Sequence, residues 1–202
     1  IEMGANHLKE IEEYCTYTMP THGVITNCGK AHLEGFGSEE GIRKGKGELF
    51  DYLKQNKGTA FIMSDYEYLQ TMSSGIENIV TYGTHDADVT GIVKNSSGLL
   101  EVEITSDVML NFIETKLVGE YNLPNILLAV TVGRHFNVPD EKIKTALENY
   151  LPDNSRSQLI ETDSNKIILD AYNANPTSMK AAVENFANMH GENKVLLLGG
   201  MK

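Results

Sequence analysis

Gly23-Val24-Ile25-Thr26-Asn27, then Ser38-Glu39-Glu40, then Thr59-Ala60-Phe61-Ile62-Met63: this succession decides the fold. The outer two pieces are short apolar runs bounded by polar residues, which read as buried strands. Ser38-Glu39-Glu40 between them caps a helix that can run to about Gln55. Strand, helix and strand in that order favour a parallel sheet, because parallel neighbours need a crossover connection.

Working outward, Ile79-Val80-Thr81-Tyr82 supplies another strand. From Asp88 to Leu117 the pattern changes to three β-rich stretches, 88–94, 99–105 and 111–118. They are joined by polar turns such as Asn95-Ser96-Ser97-Gly98 and read as a small antiparallel meander. Helices are predicted at 121–136 and 139–149, the second with Pro139 in its first turn and Asp140-Glu141 at the positive end of its dipole. A domain boundary falls at Leu151-Pro152-Asp153-Asn154-Ser155. Beyond it, Lys166-Ile167-Ile168-Leu169-Asp170, a helix at 177–189 and Lys194-Val195-Leu196-Leu197-Leu198 read as one strand-helix-strand unit.

The fold class expected is therefore α/β. A mainly parallel sheet with flanking helices and a small antiparallel β insertion occupies residues 1–152, and residues 153–202 open a second domain. At the beginning, Ile1-Glu2-Met3-Gly4 reads as the end of a strand running into a turn, so the chain is expected to be a piece of something longer.

Composition narrows the function classes. The 202 residues are 41% hydrophobic and 22% charged, which is enough to bury a substantial core. A formal net charge of -11 with no Lys/Arg run argues against a nucleic-acid partner, since phosphate contacts require a basic face. Two cysteines, Cys15 and Cys28, make neither a disulfide framework nor a structural zinc site, which points to a reducing, cytoplasmic setting. No apolar run approaches the ~18 residues of a membrane span, so no membrane insertion is expected.

The chemistry-bearing residues cluster in a few motifs. Glu2 lies in Glu2-Met3-Gly4-Ala5-Asn6, His32 in the Gly-rich run 29–38, and Lys46 in Lys46-Gly47-Glu48-Leu49. An acidic residue, a loop histidine and a helix lysine are the parts of a metal-assisted nucleotide site. Each also has a structural reading: a solvated strand-end carboxylate, a hydrogen-bonded loop histidine, a solvated lysine. Asn122 and Asn125 share one helix face, where capping of the 121–136 helix is the plain alternative for Asn122. Asp170 ends a strand, where doubly wound sheets place ligand groups. Arg156 is either a planar phosphate donor or a solvated hinge residue.

Together, in this order, these motifs and Asp170-Ala171-Tyr172-Asn173-Ala174-Asn175-Pro176-Thr177-Ser178-Met179 resemble the Mur ligases of bacterial cell-wall synthesis. The resemblance covers essentially the whole chain. It implies most of a central, P-loop-NTPase-like ATPase domain and the start of a Rossmann-like C-terminal domain. It also implies an ATP-dependent amide ligase that phosphorylates a carboxylate to an acyl phosphate, which an amine then attacks. The Tyr172–Pro176 run is similar to the branch whose substrates are UDP-N-acetylmuramoyl-tripeptide and D-alanyl-D-alanine. Another Mur-type or folylpolyglutamate-type ligase, or a nucleotide-binding module without catalysis, stays open beside it.

Residue by residue, the resemblance implies Mg²⁺ held by Glu2, His32 and a carbamylated Lys46. It implies ATP bordered by Asn122, Asn125, Arg156, Asp170, Tyr172 and Asn175. Lys44 lies about 200° round the helix from Lys46, so both cannot face one site. Three positions depart from the family pattern: Cys28 and Lys30, where an apolar and a small residue or proline are expected, and Gly200, where an acidic one is. No GxxGKT-type phosphate loop occurs in these residues, so ATP turnover by the 202-residue chain alone is expected to be absent.

Overall fold

A computed structural model of the protein describes residues 1–29, 33–106, 110–153 and 155–200, without the side chains of Leu33 and Glu34. The first helix, Glu10–Thr18 (α1), leads into a strand at His22–Val24 (β1). A short turn of helix, Leu33–Phe36 (α2), precedes the long helix Glu39–Gln55 (α3), where the Ser38 hydroxyl accepts the Gly41 N–H at 3.0 Å as its sequence predicts. Thr59–Met63 (β2), Glu67–Met72 (α4) and Asn78–Gly83 (β3) follow. β1, β2 and β3 are parallel neighbours, in the register Gly23 to Ala60 to Ile79.

β2 is buried at every position after Thr59, as a strand covered on both faces must be. Its alternating side chains meet a helix on each side. Gly23, partner of Ala60, faces Leu53 of α3, whereas Phe61 meets His135 of the helix Leu123–His135 (α5) on the opposite face. α3 and α5 thus sandwich the parallel strands. The core runs through Phe50, Leu53, Ile62, Leu69, Tyr82, Leu127 and Val130.

The meander forms as Val89–Asn95 (β4), Leu99–Ile104 (β5) and Phe112–Val118 (β6). It does not stand apart. β4 pairs parallel with β3 at its start and antiparallel with β5, so one six-stranded sheet runs β1 to β6 in chain order. The predicted turn is an Asx turn, in which Asn95 Oδ1 accepts the N–H and the hydroxyl of Ser97. Asp140–Asn149 (α6) follows Pro139 and packs beside β6 and α5.

The region after residue 155 departs from expectation. Gln158–Glu161 (β7), which the sequence reading passed over, pairs antiparallel with Lys166–Leu169 (β8), and Pro176–Asn188 (α7) follows. The strand expected at 194–198 is not formed. Leu196, Leu197 and Leu198 stand 46, 91 and 60% exposed, because a strand exists only by pairing and the two-stranded β7–β8 sheet does not reach it. Lys194, in the same stretch, instead donates to the carbonyls of Phe186, Ala187 and Met189 at the end of α7.

Two further corrections lie nearer the start. Residues 1–5 are not the end of a strand, since they pair with none, and β1 stops at Val24 rather than Asn27. α1 and α4 form where no element was expected.

Candidate functional site

Two of the candidate residues, Glu2 and Lys46, meet along β1, which among the described residues is an edge strand of the sheet. A cavity of about 770 Å³ runs along it, lined on one side by Ile1, Glu2, Met3 and Ala5 and on the other by residues 18–26, with Lys46 and Leu49 of α3. Lys46 is half-buried, and its Nζ donates to the carbonyl of Asn27 at 2.6 Å, just past the carboxyl end of β1. Lys44, two positions away, is exposed, as the helical offset requires. Glu2 and Lys46 therefore line one cleft along the side of β1. His32, the third candidate metal ligand, lies outside the described residues. Among those residues, no group of three His, Cys, Asp or Glu side chains converges as a metal site.

The donor chemistry suits Mg²⁺ on one condition. Glu2 is a hard oxygen donor, whereas the Lys46 amine is not. Addition of CO₂ to Nζ would turn it into an oxygen donor while leaving one N–H for Asn27. The contact observed is compatible with either form.

Around this edge lie groups that no local signal announced. The Cys28 N–H donates to the Tyr68 hydroxyl at 3.2 Å, Tyr68 stacks on Tyr66, and the Arg43 guanidinium sits 4.9 Å over the Tyr68 ring. Burial pushes the Cys28 thiol above its ordinary range, against the pull of Lys46 and Arg43. Past the ends of β2 and β3, the Asp65 carboxylate accepts the Thr84 N–H and lies 3.3 Å from His85 Nδ1. At the other end of β1, His22 and His135 bring their Nε2 atoms within 3.0 Å against Phe61 and Phe136. Apart from the Tyr66–Tyr68 stack, these contacts join residues far apart in sequence, so spacing could not reveal them.

The candidate nucleotide residues fall into two groups. Asn122 stands at the start of α5, but its side chain makes no cap. It donates instead to the Val118 carbonyl at 2.9 Å and accepts from Asn125 Nδ2 at 3.1 Å. The capping alternative is thereby overturned.

In the C-terminal unit, Arg156 lies 3.9 Å over the Tyr172 ring, and Asp170, one residue past β8, accepts the Ser157 N–H at 3.2 Å. Asn175 caps α7, exchanging hydrogen bonds with Ser178 in a capping box. One bond ties the two groups together: the Tyr121 hydroxyl meets the Ser157 hydroxyl, and burial raises the Tyr121 pKa while that hydrogen bond opposes the rise.

Comparison with known proteins concerns the chain as a whole. Residues 1–133 match the Mur ligase middle domain, and residues 155–202 match the Mur ligase, glutamate ligase domain. The whole chain aligns at 33% identity with the UDP-N-acetylmuramoyl-tripeptide–D-alanyl-D-alanine ligase of Bacillus subtilis, and at 34% with that of Escherichia coli. It spans 44% and 45% of their lengths, so it matches less than half of each relative. Among solved structures, MurF from Acinetobacter baumannii superposes with a TM-score of 0.83 at 27% identity, over 95% of this chain and 42% of that one. MurF from Thermotoga maritima, solved in complex with ADP, shares the fold with a TM-score of 0.78 at 24% identity over 95% of this chain and 44% of that one.

Proposed function

Because the chain belongs to the Mur ligase family, we propose that it is the central part, with the start of the C-terminal part, of an ATP-dependent ligase. That ligase joins D-alanyl-D-alanine to UDP-N-acetylmuramoyl-tripeptide in the cytoplasm. The observation that carries this reading is the end-to-end alignment with ligases of that specificity at 33–34% identity.

The site fits the chemistry step by step. Amide formation through an acyl phosphate gathers negative charge twice, at phosphoryl transfer and in the tetrahedral intermediate, and neutralising that charge is what bound Mg²⁺ supplies. Glu2 would hold the metal through oxygen, joined by His32 and by Lys46 as its carbamate. Asn122 and Asn125 would border the adenine at the head of α5. Asp170, with Tyr172 and Asn175, would face the ribose, and Arg156 the phosphates, once the C-terminal unit closes over the cleft. Closure would require Arg156 to leave the Tyr172 ring, a contact of about 0.5–1 kcal/mol at an exposed site.

The test uses the intact ligase. ATP-dependent phosphate release should require both UDP-N-acetylmuramoyl-tripeptide and D-alanyl-D-alanine. Lys46→Ala should lower kcat at least ~100-fold, as loss of a group acting in the transition state does. Small carboxylates should partly rescue it, and Lys44→Ala should stay within about threefold of the parent. Equal effects of the two lysine substitutions, or release indifferent to the dipeptide, would overturn the assignment.

A further inference from the structure

Glu48 lies two residues beyond Lys46 on α3 and turns to the other side, where both its carboxylate oxygens are engaged. One accepts the Lys9 N–H at 2.6 Å and the other the Glu12 N–H at 3.0 Å. These are free donors of the first turn of α1, which has no side-chain cap of its own. Lys9 holds a left-handed backbone, φ 75°, a conformation that a non-glycine residue keeps only where its surroundings impose it.

The clamp continues toward Glu2. Glu10 accepts the N–H groups of Asn6 and His7 at 2.6 and 3.0 Å, and these bonds hold its carboxyl below the usual range. Asn6 in turn lies against α2. A Cβ added to Gly35 would fall 2.1 Å from the Asn6 carbonyl oxygen, so only glycine admits that approach.

The segment that carries Glu2, the helix turn that follows His32 and the helix that carries Lys46 are thus tied through one chain of contacts, and Glu48 is its anchor. We propose that Glu48 is a positioning residue, fixing the Glu2 segment against the Lys46 helix so that the two donors face one metal ion. The proposal rests on the ligase reading above. It gives Glu48 no contact with substrate: its oxygens are already occupied by α1.

Three variants of the intact ligase test it, Glu48→Ala, Glu48→Gln and Lys46→Ala. Two readouts are needed: hydrogen exchange at the Lys9 and Glu12 amides, and the Mg²⁺ concentration for half-maximal rate. Glu48→Ala should expose both amides and raise that concentration about tenfold or more, the usual consequence of losing an outer support of a metal ligand. The rate at saturating Mg²⁺ should stay within about threefold of the parent, because the donors themselves remain.

Glu48→Gln keeps one acceptor oxygen and should fall between. It also carries the test if the alanine variant does not fold. Unchanged Mg²⁺ dependence in a folded Glu48 variant, or a lower maximal rate at unchanged half-saturation, would overturn the proposal. Full activity in Lys46→Ala would instead sink the ligase site itself.

Discussion

Replacing Leu53 by alanine probes the contact on which the sandwich rests. Leu53 is 0% exposed, and its methyl groups fill the space that two glycines leave. A Cβ built on Gly23 of β1 would lie 2.9 Å from Leu53 Cδ1, and one on Gly58 would lie 2.5 Å from Cδ2. Loss of three carbons forfeits ~2.4 kcal/mol of transfer free energy at ~0.8 per methylene. A void walled partly by glycine backbone has few side chains that can relax into it. The total should therefore sit in the upper part of the usual range, about 4 kcal/mol.

Gly23→Ala perturbs the same contact from the other side. Its new methyl would press on Leu53 and on Leu49, at 3.0 Å from Cδ2 of the latter, and overpacking of this kind costs about 1–3 kcal/mol. In the double variant the added methyl occupies part of the void. The two losses should then sum to at least ~1 kcal/mol less than additivity requires, as expected for residues in direct contact. Urea unfolding followed by circular dichroism measures all three, provided the slope with denaturant stays constant. A loss below about 1.5 kcal/mol for Leu53→Ala, or strict additivity in the double variant, would refute the packing argument, since the range for buried leucines starts near 2.

Two more predictions concern polar contacts. Burial, reinforced by His135, lowers the His22 pKa in the folded chain, so the unfolded chain binds more protons below its ordinary value of about 6.5. Stability present above that pH should be lost as pH falls through the lower folded value; the thermal midpoint should drop between pH 7.5 and 5.5, with a shallower drop in His135→Phe, and equal drops would count against the pair. Tyr121→Phe should cost about 1–2 kcal/mol in urea unfolding by stranding the buried Ser157 hydroxyl, whereas adding Ser157→Ala should recover part of the loss.

The elements legible in the sequence are those whose causes are local. α3 announces itself by Ser38 and two glutamates, β2 by an unbroken apolar run, and the β4–β5 turn by Asn95. α1 was illegible because its N-terminal support, Glu48, lies 36 residues beyond Glu12 in the chain, and only Ile11 and Cys15 are buried on it. The errors at 1–5 and 194–198 share one cause. Both stretches have the composition of strands, but pairing partners decide whether a strand forms, and neither has one here.

At the site, Glu2 and Lys46 line one cleft, and helical geometry separated Lys46 from Lys44. The Arg43–Tyr68 contact, the His22–His135 pair and the Glu48 clamp are tertiary contacts. None could be read from spacing alone.

The order of strands in the main sheet, β1 through β6 without a skip, bears on how the chain assembles as it is made. Each strand from β2 to β6 pairs with one already synthesised. β2 can dock on β1 once α3 has emerged, β3 on β2 after one short helix, β4 alongside β3 in parallel, and β5 and β6 join as hairpins. Among the described strands no pairing waits for a partner made much later, and chain closures between adjacent strands carry the smaller entropic cost. Sheet growth can therefore keep pace with translation, with each added strand covering the edge left by the one before.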